Sequence, residues 1–402
     1  VAVAAVVLTV EKMAAGGDAF GHLPDGRVVF IAGALPGEVV EAEVIGNKRD
    51  YARAVTARVL ESSALRVTPP CPELARGCGG CAWQHIEPSG QLGLKLAVVA
   101  EALRRTGGFA DAVVQPAGSV DPFAYRTTMR LAVRPDGSVG LRTAQSHRVI
   151  RLHTCMVAHP ALADLLPSLH VRRADELTIR VGAASGERTA LASSTAAVLR
   201  GLPADVGVGP DRFVHERVGD SMLRVSASSF FQSGPQAAEL LSAVVREECG
   251  ELAPGARVLD AYGGIGLFSA TLGLERPVVV ESSPSACADA VVNLAGRDAV
   301  VECTPMEDWS PTPMDVAIAD PSRAGLGRVG VDRVAATAAQ RIVLVSCDPV
   351  SLARDARLLA EHGYVHVRSR VLDLFPNTAH VEVITRFARG GSDDAHYGDP
   401  DG

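Results

Sequence analysis

The residue types and spacings most able to do chemistry in this chain are its cysteines and a few carboxylates. Cys71, Cys78 and Cys81 lie within eleven residues of a loop rich in Pro and Gly, CPELARGCGGC, and Cys155 follows much later. Three thiolates so close together, with a distant fourth, suit a metal or iron–sulfur site in a reducing compartment. Zinc fits the same four sulfurs, and free thiols are the alternative to a metal, which the spacing favours. Cys347 stands apart: it ends the apolar run RIVLVS and precedes the helical pattern SLARDARLLAEH, within Ser346-Cys347-Asp348-Pro349. A thiol at the carboxyl end of a strand, leading into a helix whose dipole favours the thiolate, is where a nucleophile would be placed. A buried structural cysteine is the alternative. Cys249, Cys287 and Cys303 fall in helical or strand patterns and read as core.

A second group of residues points to a nucleoside-containing cofactor. Asp260-Ala-Tyr-Gly-Gly-Ile-Gly266 follows the apolar strand ARVL and precedes the helical LFSATLG. Glycines such as Gly264 let the backbone turn tightly and approach a ligand, while the next helix offers unpaired N–H groups. By itself such a turn is weak evidence. Glu281 ends the strand RPVVVE, 21 residues beyond Asp260, and can accept hydrogen bonds from both ribose hydroxyls of an adenosine. The turn is not a GxGxxG in a first strand–helix unit, and no second mononucleotide half is evident, so S-adenosylmethionine fits better than NAD. Asp320 ends MDVAIAD and opens Asp320-Pro-Ser-Arg-Ala-Gly325, a third strand end directed at the same cleft.

These residues need elements to position them. Residues 1–65 read as short alternating strands with turn signals at Asp25-Gly26 and Pro36-Gly37, five strands in an OB-like barrel. A central region, 66–225, carries the cysteine loop, a helical pattern stopped at Gly107-Gly108, and a strand-rich stretch. There, Arg126, Arg130, Arg134, Arg142, Arg148 and Arg151 face only Asp136 between residues 126 and 151. A solvated sheet face and a phosphate-contacting surface are equally good readings of those arginines. From 226 to 388 apolar runs alternate with helical patterns at 236–248, 265–273, 284–296, 332–339 and 349–362. That rhythm predicts a doubly wound α/β domain, with its cleft at the carboxyl ends of the strands. Residues 389–402 are Gly- and Asp-rich and read as a disordered tail.

Composition narrows the partners. At 402 residues the chain exceeds what one core usually supports, so more than one domain is expected. The formal net charge is -7, so a polyanion would have to be held by a local patch rather than by the whole molecule. Only Lys12, Lys48 and Lys95 are lysine among 39 basic residues. Arginine suits phosphate and base contacts, although biased codon usage explains the skew as well. The apolar start Val1–Val10 is followed at once by Glu11 and Lys12, and neither a signal peptide nor a membrane span fits. A cytoplasmic, monomeric protein is expected.

Five motifs in consistent order, FFQSGPQ (230–236), DAYGGIGLF (260–268), DPSRAG (320–325), SCDPVSLARD (346–355) and LFPNTAHVE (374–382), carry a family resemblance along nearly the whole chain. The chain resembles the RNA uridine-C5 methyltransferases that have an N-terminal TRAM barrel and an iron–sulfur cluster. The resemblance implies an S-adenosylmethionine-dependent, Rossmann-like catalytic domain. It also implies a [4Fe–4S] cluster held by Cys71, Cys78, Cys81 and Cys155, and an RNA substrate, ribosomal rather than transfer RNA. Cys347 is implied as the thiolate that adds to uracil C6, and Glu382 as the base that removes the C5 proton. Gln232 is implied to contact the cofactor or the target base, Tyr262 and Glu281 the adenosine and ribose, and Asp320 to line the same pocket. Trp83, Gln84 and His85 could touch RNA, or Trp83 could shield the cluster. The sequence departs from the family pattern at Gly263, where YCG is common, at Ser322 in DPSR and at Asp348 in SCDP; the first cysteine spacing is one residue longer than usual. Two competing functions are an RNA-binding or folding factor with an inactive catalytic domain, against which Cys347, Asp320 and Glu382 argue, and an exocyclic amino methyltransferase. The latter usually has an aromatic residue after Asp-Pro-Pro, where Arg323 stands here.

Overall fold

The structure is a computed structural model and describes residues 5–144 and 146–391. Residues 392–402, most of the segment expected to be a disordered tail, lie outside the described residues; Arg389 itself ends the last strand.

The N-terminal strands form one curled sheet. In spatial order they are Ala5–Thr9, Val39–Asn47, Tyr51–Glu61, Val28–Ala32, Ala19–His22 and Lys12–Met13. The sequence predicted five; the two-residue Lys12–Met13 is the sixth, too short to leave a periodic signal. Alternation explains the inside of the sheet: in Val28–Ala32, Val29 and Ile31 are fully buried between half-buried neighbours. Each such side chain contributes roughly 1.5–3 kcal/mol by leaving water. The long pair Val39–Asn47 and Tyr51–Glu61 changes register three times, and such irregularities bend and twist a sheet enough to curl it.

The second sheet places Thr128–Val133 and Glu176–Val181 at its centre, flanked by Val139–Arg142 and Val149–Arg151 on one side and Arg188–Ala192 and Val206–Val208 on the other. Met129, Leu131, Leu177 and Ile179 build its core.

The third sheet has eight strands in the order Val300–Cys303, Pro277–Glu281, Val258–Ala261, Val316–Ala319, Arg341–Ser346, Glu382–Arg389, Tyr364–Asp373 and Val114–Ser119. The first five run parallel and Glu382–Arg389 runs antiparallel. Its central strands are near-continuous apolar runs because both faces are covered. Alternate side chains go to opposite faces: Val258, Ile318, Val343 and Ile384 pack with helix Pro235–Cys249. Leu259, Ala317, Ile342 and Val383 pack with helices Gly327–Ala336 and Pro349–Glu361. The chain moves outward from Val258–Ala261 and then returns to its other side at Val316–Ala319. That reversal opens a crevice beyond the carboxyl ends of these two strands.

Three differences from the sequence expectations have physical causes. Strand Val114–Ser119, expected in the central region, is the eighth strand of the third sheet; Pro116 is tolerated because the strand lies at an edge. Helix Gly327–Ala336 begins five residues before the expected 332, since Gly327 and Gly330 weaken the apolar pattern that would have marked its start. Cys303, expected in the core, is exposed, because its strand is the opposite edge of the same sheet, whereas Cys249 and Cys287 are buried. No helix among the described residues is long and apolar enough to cross a membrane.

Candidate active site

The crevice holds a cavity of about 700 Å³, and all seven residues singled out for catalysis or cofactor contact line it: Gln232, Tyr262, Gly264, Glu281, Asp320, Cys347 and Glu382. They come from five strand ends and the loop before helix Pro235–Cys249, which is why residues up to 150 positions apart in sequence meet.

At one end the Asp260–Gly266 turn wraps the ligand space. Asp260, fully buried, accepts from the Ser269 N–H at 3.1 Å and its hydroxyl at 2.6 Å, fastening the strand to the helix Leu267–Thr271. Burial pushes the Asp260 carboxyl up to about 6. Tyr262 and Gly264 both adopt left-handed backbone, φ 58° and 55°. At Gly263 a Cβ would lie 2.7 Å from Val279 Cγ1, so the glycine matches a tight approach between turn and strand. Glu281 is held open by the turn itself: Oε2 accepts from the Gly264 N–H at 3.0 Å and Oε1 from the Ser283 N–H at 2.6 Å. The lone pairs left over face the cavity and can accept from hydroxyls.

At the other end stand the thiol and two more carboxyls. Cys347 directly follows strand Arg341–Ser346, and Glu382 is the first residue of its antiparallel neighbour; Ser346 pairs with Val383, so Cys347 and Glu382 face each other across the sheet end. Glu382 is 5% exposed, not the surface charge an isolated strand pattern suggests. Burial, then Asp320, raises the Glu382 carboxyl well above the usual range, and burial pushes Asp320 up to about 7. Burial, Glu382 and Asp320 push the Cys347 thiol up to about 11, and Arg323 opposes them. Asp348 caps the following helix, its Oδ1 accepting from Val350 and Ser351 N–H at 3.1 and 2.8 Å; an aspartate in place of the family's asparagine therefore does a capping job.

That helix also fixes the DPSRAG loop. Buried Asp355 accepts from the Leu326 and Gly327 N–H groups at 2.6 and 3.1 Å, and the Ser351 hydroxyl donates to Arg323 O at 2.9 Å. The loop carrying Glu382 is held instead from the N-terminal half. Lys95 donates to Asp373 at 2.6 Å and to Phe375 O, the Asn377 N–H donates to Gln91, and the Trp83 N–H donates to Asn377 O. Trp83 is thus a buried pin between barrel and catalytic loop, which removes it from the residues able to touch RNA. Gln91, Lys95 and Asn377 escaped the sequence reading; a lysine within an apolar helical stretch of a chain with so few lysines was the available signal. Of two further cavity residues, Arg126 was singled out only as part of the basic stretch 126–151, and His380 was not singled out. The His380 imidazole lies 2.7 Å from Arg323 and tilts edge-on to Phe375. Burial, with Arg323, Arg126 and Lys95 nearby, pushes His380 down to about 4, so it is neutral.

Cys71, Cys78, Cys81 and Cys155 line a neighbouring cavity of about 280 Å³, which shares Arg126 and His380 with the first. All four are free thiols. Among the described residues no group of three or more His, Cys, Asp or Glu side chains is gathered closely enough for a single metal ion. Burial raises the Cys78 and Cys155 thiols and pushes Cys81 up to about 12, and the sulfurs raise one another. Beyond this cavity Arg76, Arg134, Arg148, Arg151, His147 and His153 rim an open hollow of about 820 Å³. Arg130 and Arg142 are not free for it, being paired with Glu176.

Comparison with known proteins agrees with this architecture. Residues 5–56 match the TRAM domain family. The chain is 34% identical to an RNA methyltransferase of Streptomyces avermitilis over 93% of its own length and 96% of the relative's. It is 33% identical to the 23S rRNA (uracil(1939)-C(5))-methyltransferase RlmD of Pseudomonas aeruginosa, over 95% and 94%. In fold it is similar to the Pyrococcus abyssi tRNA (uracil-54, C5)-methyltransferase solved with S-adenosyl-L-homocysteine, with a TM-score of 0.71 at 24% identity, covering 95% of this chain and 99% of that one. The chain belongs to the family of RNA methyltransferases that includes these 23S rRNA uracil-C5 enzymes.

Proposed function

We propose that the protein methylates C5 of a uridine in RNA, ribosomal rather than transfer RNA, using S-adenosylmethionine. The observation that carries the reading is the placement of Cys347 opposite Glu382 in one cavity with Glu281 at its other end. When bound, S-adenosylmethionine supplies an electrophilic methyl group. Glu281 would accept from the ribose hydroxyls, with Tyr262 and Gly264 shaping the adenosine side and Gln232 and Asp320 facing the reacting end. Uracil C5 is a poor nucleophile, and addition of the Cys347 thiolate to C6 makes it enolate-like, able to take the methyl group. Glu382 then removes the C5 proton and elimination of Cys347 frees the product. In the free site burial disfavours the charged form of both groups, and Arg323 is the cation that opposes this at Cys347.

In this reading the barrel (1–65) and the central region (66–225) hold RNA while 226–388 does the chemistry, with strand Val114–Ser119 lent to the catalytic sheet. The basic hollow would take phosphates, and Arg126 and His380 would receive the strand between the two cavities. The four cysteines, which line one cavity, would hold a [4Fe–4S] cluster as its thiolate ligands. The cluster's role would be structural, since methyl transfer moves no electron. Thiols kept in this state suit a cytoplasmic location. The reading includes action as a monomer.

The test is incubation of the purified protein with S-adenosylmethionine and either 23S rRNA or tRNA, followed by nucleoside analysis. 5-Methyluridine in the ribosomal substrate is expected; methyl incorporation at an exocyclic amine, or RNA binding with no incorporation, refutes the reading. Iron and sulfide assay after anaerobic purification tests the cluster, and a stoichiometric zinc protein rejects it.

A further inference from the structure

Two cysteines that the proposed reaction does not use meet beside Glu281. Cys303 ends the edge strand Val300–Cys303 and is the register partner of Glu281 on the adjoining parallel strand. Neighbouring strands are about 5 Å apart, so Cys303 stands directly beside the residue proposed to hold the ribose. Cys287 approaches the same residue from the helix Pro284–Asn293: its N–H donates to Ser283 O at 2.9 Å, and its thiol donates to the Glu281 carbonyl at 3.3 Å. Both cysteines therefore adjoin Glu281, and Cys303 is near enough to raise the Cys287 thiol. Their exposure differs in a useful way, because Cys303 is open to solvent and Cys287 is only 6% exposed. The short stretch between Glu281 and Cys287 contributes Ser282, Ser283 and Ala286 to the cavity wall, and the Ser283 N–H is one of the two backbone donors that orient the Glu281 carboxylate.

We propose that Cys287 and Cys303 form an oxidative modification site, in which a peroxide converts the two thiols to a disulfide and the disulfide weakens cofactor binding. The exposed Cys303 thiolate attacks one peroxide oxygen; the O–O bond breaks, Cys303 becomes a sulfenic acid and one water leaves. The sheltered Cys287 then attacks that sulfur, the S–S bond forms and the hydroxyl departs as the second water. Two thiols and one hydrogen peroxide thus give one disulfide and two waters, the two sulfurs being oxidised and the peroxide reduced. The bond replaces the Cys287 donor to the Glu281 carbonyl and ties the first turn of the helix to the edge strand. Ser283 is displaced with that turn, and Glu281 loses one of the two backbone donors that aim it.

The consequence for binding rests on the assignment of this cavity to the cofactor, and the experiment keeps the two apart. Full-length protein is treated with hydrogen peroxide, alkylated and digested with trypsin, which cuts at Arg297 between the two cysteines. A cross-linked pair of peptides is expected, released by dithiothreitol and absent from Cys303→Ser. S-Adenosylhomocysteine titrated into the oxidised protein should bind roughly tenfold more weakly than to the reduced protein, the loss of one charge-assisted hydrogen bond. Cys303→Ser should bind as the reduced protein does, before and after peroxide. Peroxide that leaves both thiols free to alkylate, or carries Cys303 to a sulfinic acid without the cross-link, overturns the site. A cross-link with unchanged affinity overturns its coupling to the pocket. Reduced protein that binds no S-adenosylhomocysteine refutes the cofactor assignment instead, while the peptide map still decides the disulfide.

Discussion

Cys347 and Glu382 stand opposite each other at the ends of two antiparallel strands, one residue beyond the paired Ser346 and Val383. The nucleophile and the base proposed for this enzyme are therefore set by strand register, and a slip of one residue would turn both side chains away.

Replacing the nucleophile separates chemistry from binding. Cys347→Ala is expected to abolish methyl incorporation, with S-adenosylhomocysteine affinity unchanged within about twofold, since Glu281 and the Asp260 turn are untouched. Radiolabelled methyl transfer and calorimetric titration measure the two, and residual turnover would remove Cys347 from the mechanism.

Glu382→Gln should act later in the reaction. Addition and methyl transfer need only the thiolate, whereas release needs a base at C5. The variant should accumulate a covalent protein–RNA complex that survives denaturing electrophoresis, and its failure to appear would reassign the base.

The buried carboxyls make the stability of the cofactor-free protein depend on pH. Asp320 is raised from 3.8 to about 7, so the folded protein binds more protons than the unfolded chain between these values. Its contribution is therefore fully present below about pH 4 and is lost as pH rises towards and past 7. The loss should be on the order of a few kcal/mol. Asp320→Asn should remove this dependence, so that its melting temperature gains on the wild type as pH rises from 5 to 7.5. A constant difference across that range would contradict the shift.

Lys95 and Asp373 form a buried ion pair, 1% and 2% exposed at the side chain, that anchors the loop bearing Glu382. Lys95→Met leaves a carboxyl buried without its partner and should cost about 3–5 kcal/mol in chemical denaturation. The double variant Lys95→Met, Asp373→Asn should recover part of that loss; if it does not, the pair is not what holds the loop.

The basic hollow should reveal itself through salt. Arg148→Ala is expected to weaken RNA binding similarly for all sequences and to reduce the slope of log affinity against log salt by about 1, measured by filter binding across salt concentrations. An unchanged slope would place the phosphates elsewhere.

Much of the site was legible in the linear sequence because its parts lie at strand ends, where an apolar run stops and a chemically distinctive residue follows. Asp260, Glu281, Asp320 and Cys347 all announce themselves in this way, and the alternation of runs and helices implies that their strands lie side by side. Glu382 was readable only through its motif, since a carboxylate at the start of a strand is ordinarily a surface charge; the sheet beneath it and the loop above it bury it.

What the sequence determined by itself was the layered α/β framework and the candidates for its reactive residues, because periodicity and strand-end chemistry are local properties of the chain. Tertiary structure alone decided which distant groups became neighbours. It put Lys95 under the catalytic loop, added Val114–Ser119 to the catalytic sheet, brought four cysteines to a cavity beside Arg126 and His380, and set Cys303 on an edge next to Cys287. Those outcomes depend on strand order and loop closure over hundreds of residues, where burial and pairing are shared among elements and no local pattern carries the signal.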